Sequence, residues 1–378
     1  MTTTIVEEPS QPEVNYSRKS ARDTLARLGK FFFVRVIMQA ISIVIGIYLT
    51  ILIANMGGHV DTILKAEITE TVNAEVAALA ARQPMSAEAR NNLVRDLIEE
   101  REHVAGLDQP FFPRSITHLK NALTLKFGRA RTMVSDHGSR QVNNIILERL
   151  PATLLLMGTS QVVLFFVTLF LALNLSRHYG SIWDKVVVAL SPTSSIPAWF
   201  YGIFLILIFA AWLKILPFGG MVSAPPPPTK WGYFLSVLKH LILPAGSLFI
   251  SGFFINIYTW RTFFLIYSSE DYVEMAKAKG LNSRDVERRY ILRPTLPSII
   301  TRFALMIIGI WMGAILTETV FLWPGLGRVI FEAIQRYDTA VIVGTTVVYA
   351  YLLAFTVFFL DFIYAIVDPR VKIGGGSN

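Results

Sequence analysis

Cysteine is absent from the 378 residues, which excludes disulfides and thiolate-bound metals and leaves the compartment faced by the loops open. Charge is scarce as well. Only 16% of the chain is Asp, Glu, Lys or Arg against 53% hydrophobic, whereas a soluble domain of this length carries roughly a quarter charged residues. Lipid must therefore cover part of the surface. Six histidines (His59, His103, His118, His137, His178 and His240) are scattered without ligand spacing, so the pattern points to no metal site. No GxxxxGK[ST] phosphate-binding loop occurs, so the chain is not expected to hydrolyse ATP itself. The net charge of +8 does not point to nucleic acid, because the basic residues border apolar spans instead of forming a patch with interleaved aromatics.

What is present is a series of apolar stretches, each long enough to cross about 30 Å of hydrocarbon at 1.5 Å per residue. They predict an all-α integral membrane protein with about six transmembrane helices, at 36–58, 151–176, 186–213, 241–260, 299–317 and 340–360. Pro151 suits a first-turn position. Pro192 and Pro197 predict a bend near the start of the third span or a half-buried entry. Asp361 closes the last span. The polar segment before the first span reads as a cytoplasmic tail, not a signal peptide, because its apolar run begins too far from residue 1.

Orientation follows from Lys and Arg near the helix ends. With the N-terminus inside, the cytoplasmic pieces carry eighteen and the short outer loops five. Both termini are thus expected in the cytoplasm, in a multi-pass protein of the cell membrane. The segment 59–150, with twelve basic and twelve acidic residues, reads as a helical extracytoplasmic subdomain. One helix is expected over about 63–81 and another over 87–105, capped by Ser86 and ended by Gly106. The run Pro225 to Pro228 reads as a stiff spacer. The resulting division is a tail 1–35, a first span 36–58, the subdomain 59–150, a five-helix core 151–372 containing a cytoplasmic loop 261–298, and a tail 373–378.

That cytoplasmic loop is the most informative stretch. DYVEMAKAKGLNSRDVERRYILRPTLPSI, from Asp271 to Ile299, is too long for a passive connector. It reads as two helical halves about Gly280, which supplies the positive φ of a sharp turn. Asn282 or Ser283 caps the second half, and Pro294 and Pro297 end it. The outcome is a rigid basic elbow, small-faced at Ala276 and Ala278, suited to a partner's groove. A basic loop lying on anionic lipid is the competing reading.

Glu274-Met275-Ala276, then three residues and Gly280, followed by Ile291 and Pro297, resembles the EAA signature of permease subunits in ATP-binding-cassette importers. DYVEMAKAKGL, ETVFLWPGLGRVI (Glu318 to Ile330), DFIYAIVDPRVK (Asp361 to Lys372), ERLPATLLL (Glu148 to Leu156) and GLDQP (Gly106 to Pro110) resemble the dipeptide/oligopeptide permease family in its first-subunit branch. The likeness runs from about Ala87 to Lys372. It implies a non-catalytic subunit that pairs with a second, homologous permease and seats its loop on two cytoplasmic ATP-binding subunits, which hold the ATP and magnesium. An extracytoplasmic substrate-binding protein would feed it peptides, or related solutes such as oligosaccharides or nickel.

By position, the resemblance makes Glu274, Ala276 and Gly280 coupling residues. Asp271, Tyr272, Lys277, Ala278, Lys279, Leu281 and Arg284 belong to the same loop. The chain departs from the family pattern in an insertion near 59–86, in a longer N-terminal tail and at three sets of residues. Asn55-Met56-Gly57-Gly58 stands where the family has Pro-Gly-Asp-Pro, Val357 lies where its last span carries asparagine, and Met275 replaces the commonest alanine.

Trp323, Pro324, Gly325 and Gly327, after the fifth span and Glu318, form an outer turn with two readings, an aromatic-belt anchor or a loop dipping towards the substrate path. Thr159, Ser160, Gln161 and Asn174 are candidates to line that path or to act as interhelical glue. An ion-coupled secondary transporter is the alternative class, and it would place ionisable groups near the bilayer centre. The six predicted spans hold none there, with Glu318 and Asp361 at span ends.

Overall fold

Helices account for nearly all regular structure in the computed structural model, which describes residues 21–55, 59–83, 85–310 and 314–367. Most of the predicted N-terminal tail, Gly57, Gly58, the C-terminal tail and the side chain of Asp361 lie outside the described residues. No strand occurs among those described, only one antiparallel bridge between Arg129 and Gln141.

Among the described residues, four helices are long and apolar enough to cross a membrane: α1 (Ala21–Asn55), α5 (Val142–Arg177), α8 (Lys230–Ser268) and α14 (Thr339–Val367). A fifth candidate is broken. α6 (Ile182–Leu190), extended by a 3₁₀ turn to Ser195, meets α7 (Ala198–Leu205), extended by π-wound backbone to Trp212, at 99°. The corner is Ile196–Pro197. A residue before proline is driven into extended backbone, and Ile196 has φ −78° and ψ 126°, so the bend expected near the start of this span is a true break. The fifth expected crossing falls on α11 (Arg293–Ile310), beyond which 311–313 lie outside the described residues.

α5 and α8 form the spine. Phe165 and Ala172 of α5 pack on Ile257, Trp260 and Phe264 of α8, with Val187 of α6 and Ile299 of α11 closing the cluster. Phe165 meets Trp260 edge to face at 5.6 Å and Phe303 at 5.1 Å. α1 lies at the side, where Ile47 and Ile51 are buried against Val347 of α14 and Ala122 of α4 (Phe111–Leu123). Most of its other apolar side chains are exposed, as a lipid-facing helix requires.

At one end of α5 lies the segment predicted as a subdomain. It holds the hairpin of α2 (His59–Arg82) and α3 (Ala87–Val104), followed by α4. Ser86 Oγ accepts from the Ala89 N–H, and Gly106 has φ +70°, the cap and stop read from the sequence. Arg114 ties α4 to α2 by donating to both carboxylate oxygens of Asp61, at 2.8 and 2.6 Å.

Three boundaries differ from expectation. α8 exceeds the expected 241–260 at both ends, starting from the Thr229 cap and running to Ser268 because Arg261 and Phe264 are buried, so the loop read as 261–298 begins inside this helix. α5 begins nine positions before Pro151 because Val142, Ile145 and Ile146 are buried against α13 (Leu326–Gln335), so Pro151 sits inside the helix. Likewise Pro294 and Pro297 do not end the second half of the cytoplasmic loop. Helical backbone runs from α10 (Ser283–Asp285) through π-wound Val286–Leu292 into α11. The wide turn immediately precedes the two prolines, whose missing N–H groups interrupt the regular ladder.

Candidate functional site

The elbow stands at the far end of α5 from the α2–α3 hairpin. α9 (Asp271–Ala278) turns at Gly280, φ +77°, into α10. The Leu281 N–H reaches back to the Ala276 carbonyl and the Gly280 N–H to that of Lys277 at 2.9 Å, closing the last turn of α9. Asn282 is the cap, its Oδ1 accepting from the Asp285 N–H at 2.8 Å.

Inside the turn Val273, Ala276 and Val286 are buried against Leu281, Tyr290 and Ile291. Ala276 therefore corrects the expectation of a small outer face. It lies three positions after Val273 on the same side of α9, so it fastens the elbow instead of meeting a partner. Ala278, Asp271, Tyr272, Glu274, Lys277, Lys279, Gly280 and Arg284 are exposed, and Leu281 is half-buried. Partial desolvation of the phenol, with the nearby Glu270 carboxylate, pushes Tyr272 above its ordinary value.

The elbow is anchored to the membrane helices. Glu287 pairs with Arg177 at the end of α5. Ile291 and Leu292 pack on the cluster around Trp260, and its second half is continuous with α11. The elbow is thus continuous with α11 and in contact with the end of α5.

The outer turn is built round a carboxylate. Glu318, on α12 (Ile315–Val320), is fully buried. Thr153 of α5 donates to its Oε1 at 2.9 Å, and the Arg328 N–H in the first turn of α13 donates to Oε2 at 3.0 Å. Thr153 Oγ1 in turn accepts from the Leu326 N–H at 2.7 Å. Glu318 thus caps α13 from another helix, where a negative charge is favoured. Gly325 and Gly327 allow the close approach: a Cβ on Gly325 would overlap the Glu318 carboxylate, and one on Gly327 would lie 2.9 Å from its Oε2.

Trp323 is fully buried against Ala152, Leu156 and Leu241, with its indole N–H donating to the Ala152 carbonyl at 2.8 Å. In this chain it is neither an interfacial anchor nor a free loop tip. It ties the turn to α5 and α8, with Pro324 half-buried beside it.

Of the polar residues proposed for the path, Ser160 is buried and bonded to the Leu156 carbonyl at 2.6 Å, which makes it internal to α5. Thr159 is half-buried and Asn174 exposed. Gln161 opens into a pocket of about 340 Å³ between α5, α8 and α11, together with Asn256, Trp260 and Arg302.

Three charged residues were missed. Asp184 of α6 and Arg261 of α8 form a buried pair, yet both fall just outside the apolar windows drawn from the sequence. Asp338, also fully buried, accepts from the N–H groups of Arg131 at 2.7 Å and Thr132 at 3.0 Å, pinning residues 129–141 to the start of α14. Its position directly before an apolar helical run was the available signal.

A bundle of spanning helices with a broken span, a buried outer cap and a rigid helical elbow at the opposite end defines a membrane permease subunit. Residues 164–373 match the family model described as binding-protein-dependent transport system inner membrane component, and the chain belongs to that family. It is similar to the oligopeptide transport system permease protein AppB of Bacillus subtilis, 32% identical over 269 residues that cover 71% of this chain and 82% of the relative. It is similar too to the di/tripeptide transport system permease protein DppB of Pseudomonas aeruginosa, 29% identical with 71% and 83% covered. A third relative is the probable D,D-dipeptide transport system permease protein DdpB of Escherichia coli, 30% identical with 74% and 86% covered.

Proposed function

We propose that this permease subunit imports peptides in an ATP-driven complex, in which it pairs with a second permease and receives force through the elbow at Gly280 from two ATP-binding subunits. The observation that carries this reading is mechanical. The elbow has its own buried core, exposes charge on its outer side and runs without a break into α11.

The names of the relatives support peptides as cargo. Nucleotide and magnesium belong to the ATP-binding subunits, and a binding protein delivers cargo at the α2–α4 end. The charge asymmetry of the loops supports that end as extracytoplasmic and both termini as cytoplasmic. The division into tail, outer subdomain and five-helix core is proposed on the same basis. Ion-coupled transport is the weaker reading, because the matching family is one of binding-protein-dependent transport.

The test is uptake of a labelled peptide into proteoliposomes holding the whole complex. Uptake that needs ATP and the binding protein and ignores an imposed proton or sodium gradient supports the importer. Gradient-driven uptake without ATP refutes it.

A further inference from the structure

An arginine partway along a membrane helix needs a counter-charge, since a guanidinium facing hydrocarbon alone is costly. Arg302 is the fourth residue of the expected fifth span, 299–317, on α11. Its guanidinium stacks over Trp260 at 5.0 Å and Phe263 at 5.6 Å. No carboxylate among the described residues lies within ion-pair distance of it, in contrast to Arg114, Arg177 and Arg261.

Its head is exposed in the pocket of about 340 Å³ lined also by Gln161, Phe165, Asn256 and Met306. Asn256 is held in place by donating to the Gly252 carbonyl at 2.7 Å. Gly252 itself lets α8 approach α5, since a Cβ there would come within 2.7 Å of Leu164.

A guanidinium fixed on two aromatic faces presents a planar fork that fits a carboxylate better than a point charge does. Two amide side chains beside it add polar contacts that a lipid tail would leave unused. The one anionic group shared by peptides of any sequence is the C-terminal carboxylate. A path that passes many peptides can hold only what they have in common.

Resting on the reading of this chain as a peptide importer, we propose that Arg302, with Gln161 and Asn256, forms a carboxylate-binding point of the translocation path, which takes the C-terminus of the passing peptide between α5, α8 and α11.

The test uses the assembled complex and a peptide whose C-terminal residue carries a photoactivatable diazirine, with the labelled fragments mapped by mass spectrometry. Labelling is expected around Trp260 and Met306. It should fall about tenfold in Arg302→Gln, and by a similar factor for the C-terminal amide of the same probe on the unaltered complex, the effect of losing one charge-assisted contact. Arg302→Lys should fall between.

Labelling elsewhere, equal labelling of acid and amide, or equal labelling in Arg302→Gln overturns the proposal. So does loss of the second permease from purified Arg302→Gln, which would place the counter-charge on that subunit. Failure of the importer reading itself shows separately, as no ATP-dependent uptake of an unmodified peptide by the unaltered complex.

Discussion

Arg261 donates from Nη2 to Asp184 Oδ2 at 2.7 Å, joining α8 to α6 across 77 positions of chain, and both side chains are buried. The Gly180 N–H adds a third contact to the same carboxylate at 2.9 Å, and the Tyr179 ring lies 5.1 Å from the guanidinium.

Removing one partner leaves the other charge buried, at a cost of about 3–5 kcal/mol. Asp184→Ala should therefore reduce folded yield and lower the melting temperature in detergent. Replacing both by apolar residues of similar size, Asp184→Leu with Arg261→Met, should be much milder. A double variant as damaged as the single one would show that the pair does more than neutralise itself.

Trp323→Ala is expected to act on the fold before it acts on transport. The side chain is fully buried between α5 and α8, and such truncations cost about 3–5 kcal/mol. Folded yield should drop, as read by monodisperse protein on size exclusion. Normal yield with reduced uptake would instead return Trp323 to the substrate path.

Glu318→Ala removes the cap of α13 and leaves the Arg328 N–H and the Thr153 hydroxyl without their acceptor, worth about 1–2 kcal/mol for a cap. Glu318→Gln keeps one acceptor oxygen but sets an amide donor against the other partner, so it should recover only part of the stability. Gly325→Ala should be at least as harmful as Glu318→Ala, since its methyl group would occupy the carboxylate's space. Thermal unfolding of the three variants ranks them directly.

His137, in the segment between α4 and α5, hydrogen-bonds Glu148 through Nδ1 at 2.7 Å. That bond and the carboxylate's charge hold its imidazole above the ordinary histidine value. A raised folded value means that the contact stabilises the fold below the ordinary histidine pKa of about 6.5 and is lost as pH rises through the raised value. The pair is exposed, so salt should weaken it. An NMR titration should give a midpoint above about 6.5 that returns to the ordinary value in Glu148→Gln.

Helix identity, the caps at Ser86 and Asn282 and the turn at Gly280 were legible because each depends on local chemistry: apolar run length, a side-chain oxygen at the right offset, a residue that accepts positive φ. Helix ends were less legible. Val142, Ile145 and Ile146 extend α5 before Pro151 only because α13, nearly 200 positions later, covers them. The inward turn of Ala276 depends on Val286 in the same way. Glu318, Asp184 and Asp338 read as ordinary charges near span ends until their partners from distant helices come into contact.

If the elbow transmits ATP hydrolysis to the membrane helices, a substitution at Gly280 should break the transmission. Its backbone needs φ +77°, while the space where a side chain would begin is open. Gly280→Glu therefore strains the turn by about 1–2 kcal/mol and puts a bulky charge on the exposed side without crowding the elbow's core. Measured on complex purified through a tag on this chain, the unaltered protein should carry ATPase activity coupled to peptide uptake, and Gly280→Glu should lose the ATP-binding subunits or hydrolyse ATP without uptake. An unaltered chain that purifies without any ATPase and still transports down an ion gradient, or a Gly280→Glu complex as well coupled as the original, would contradict the account.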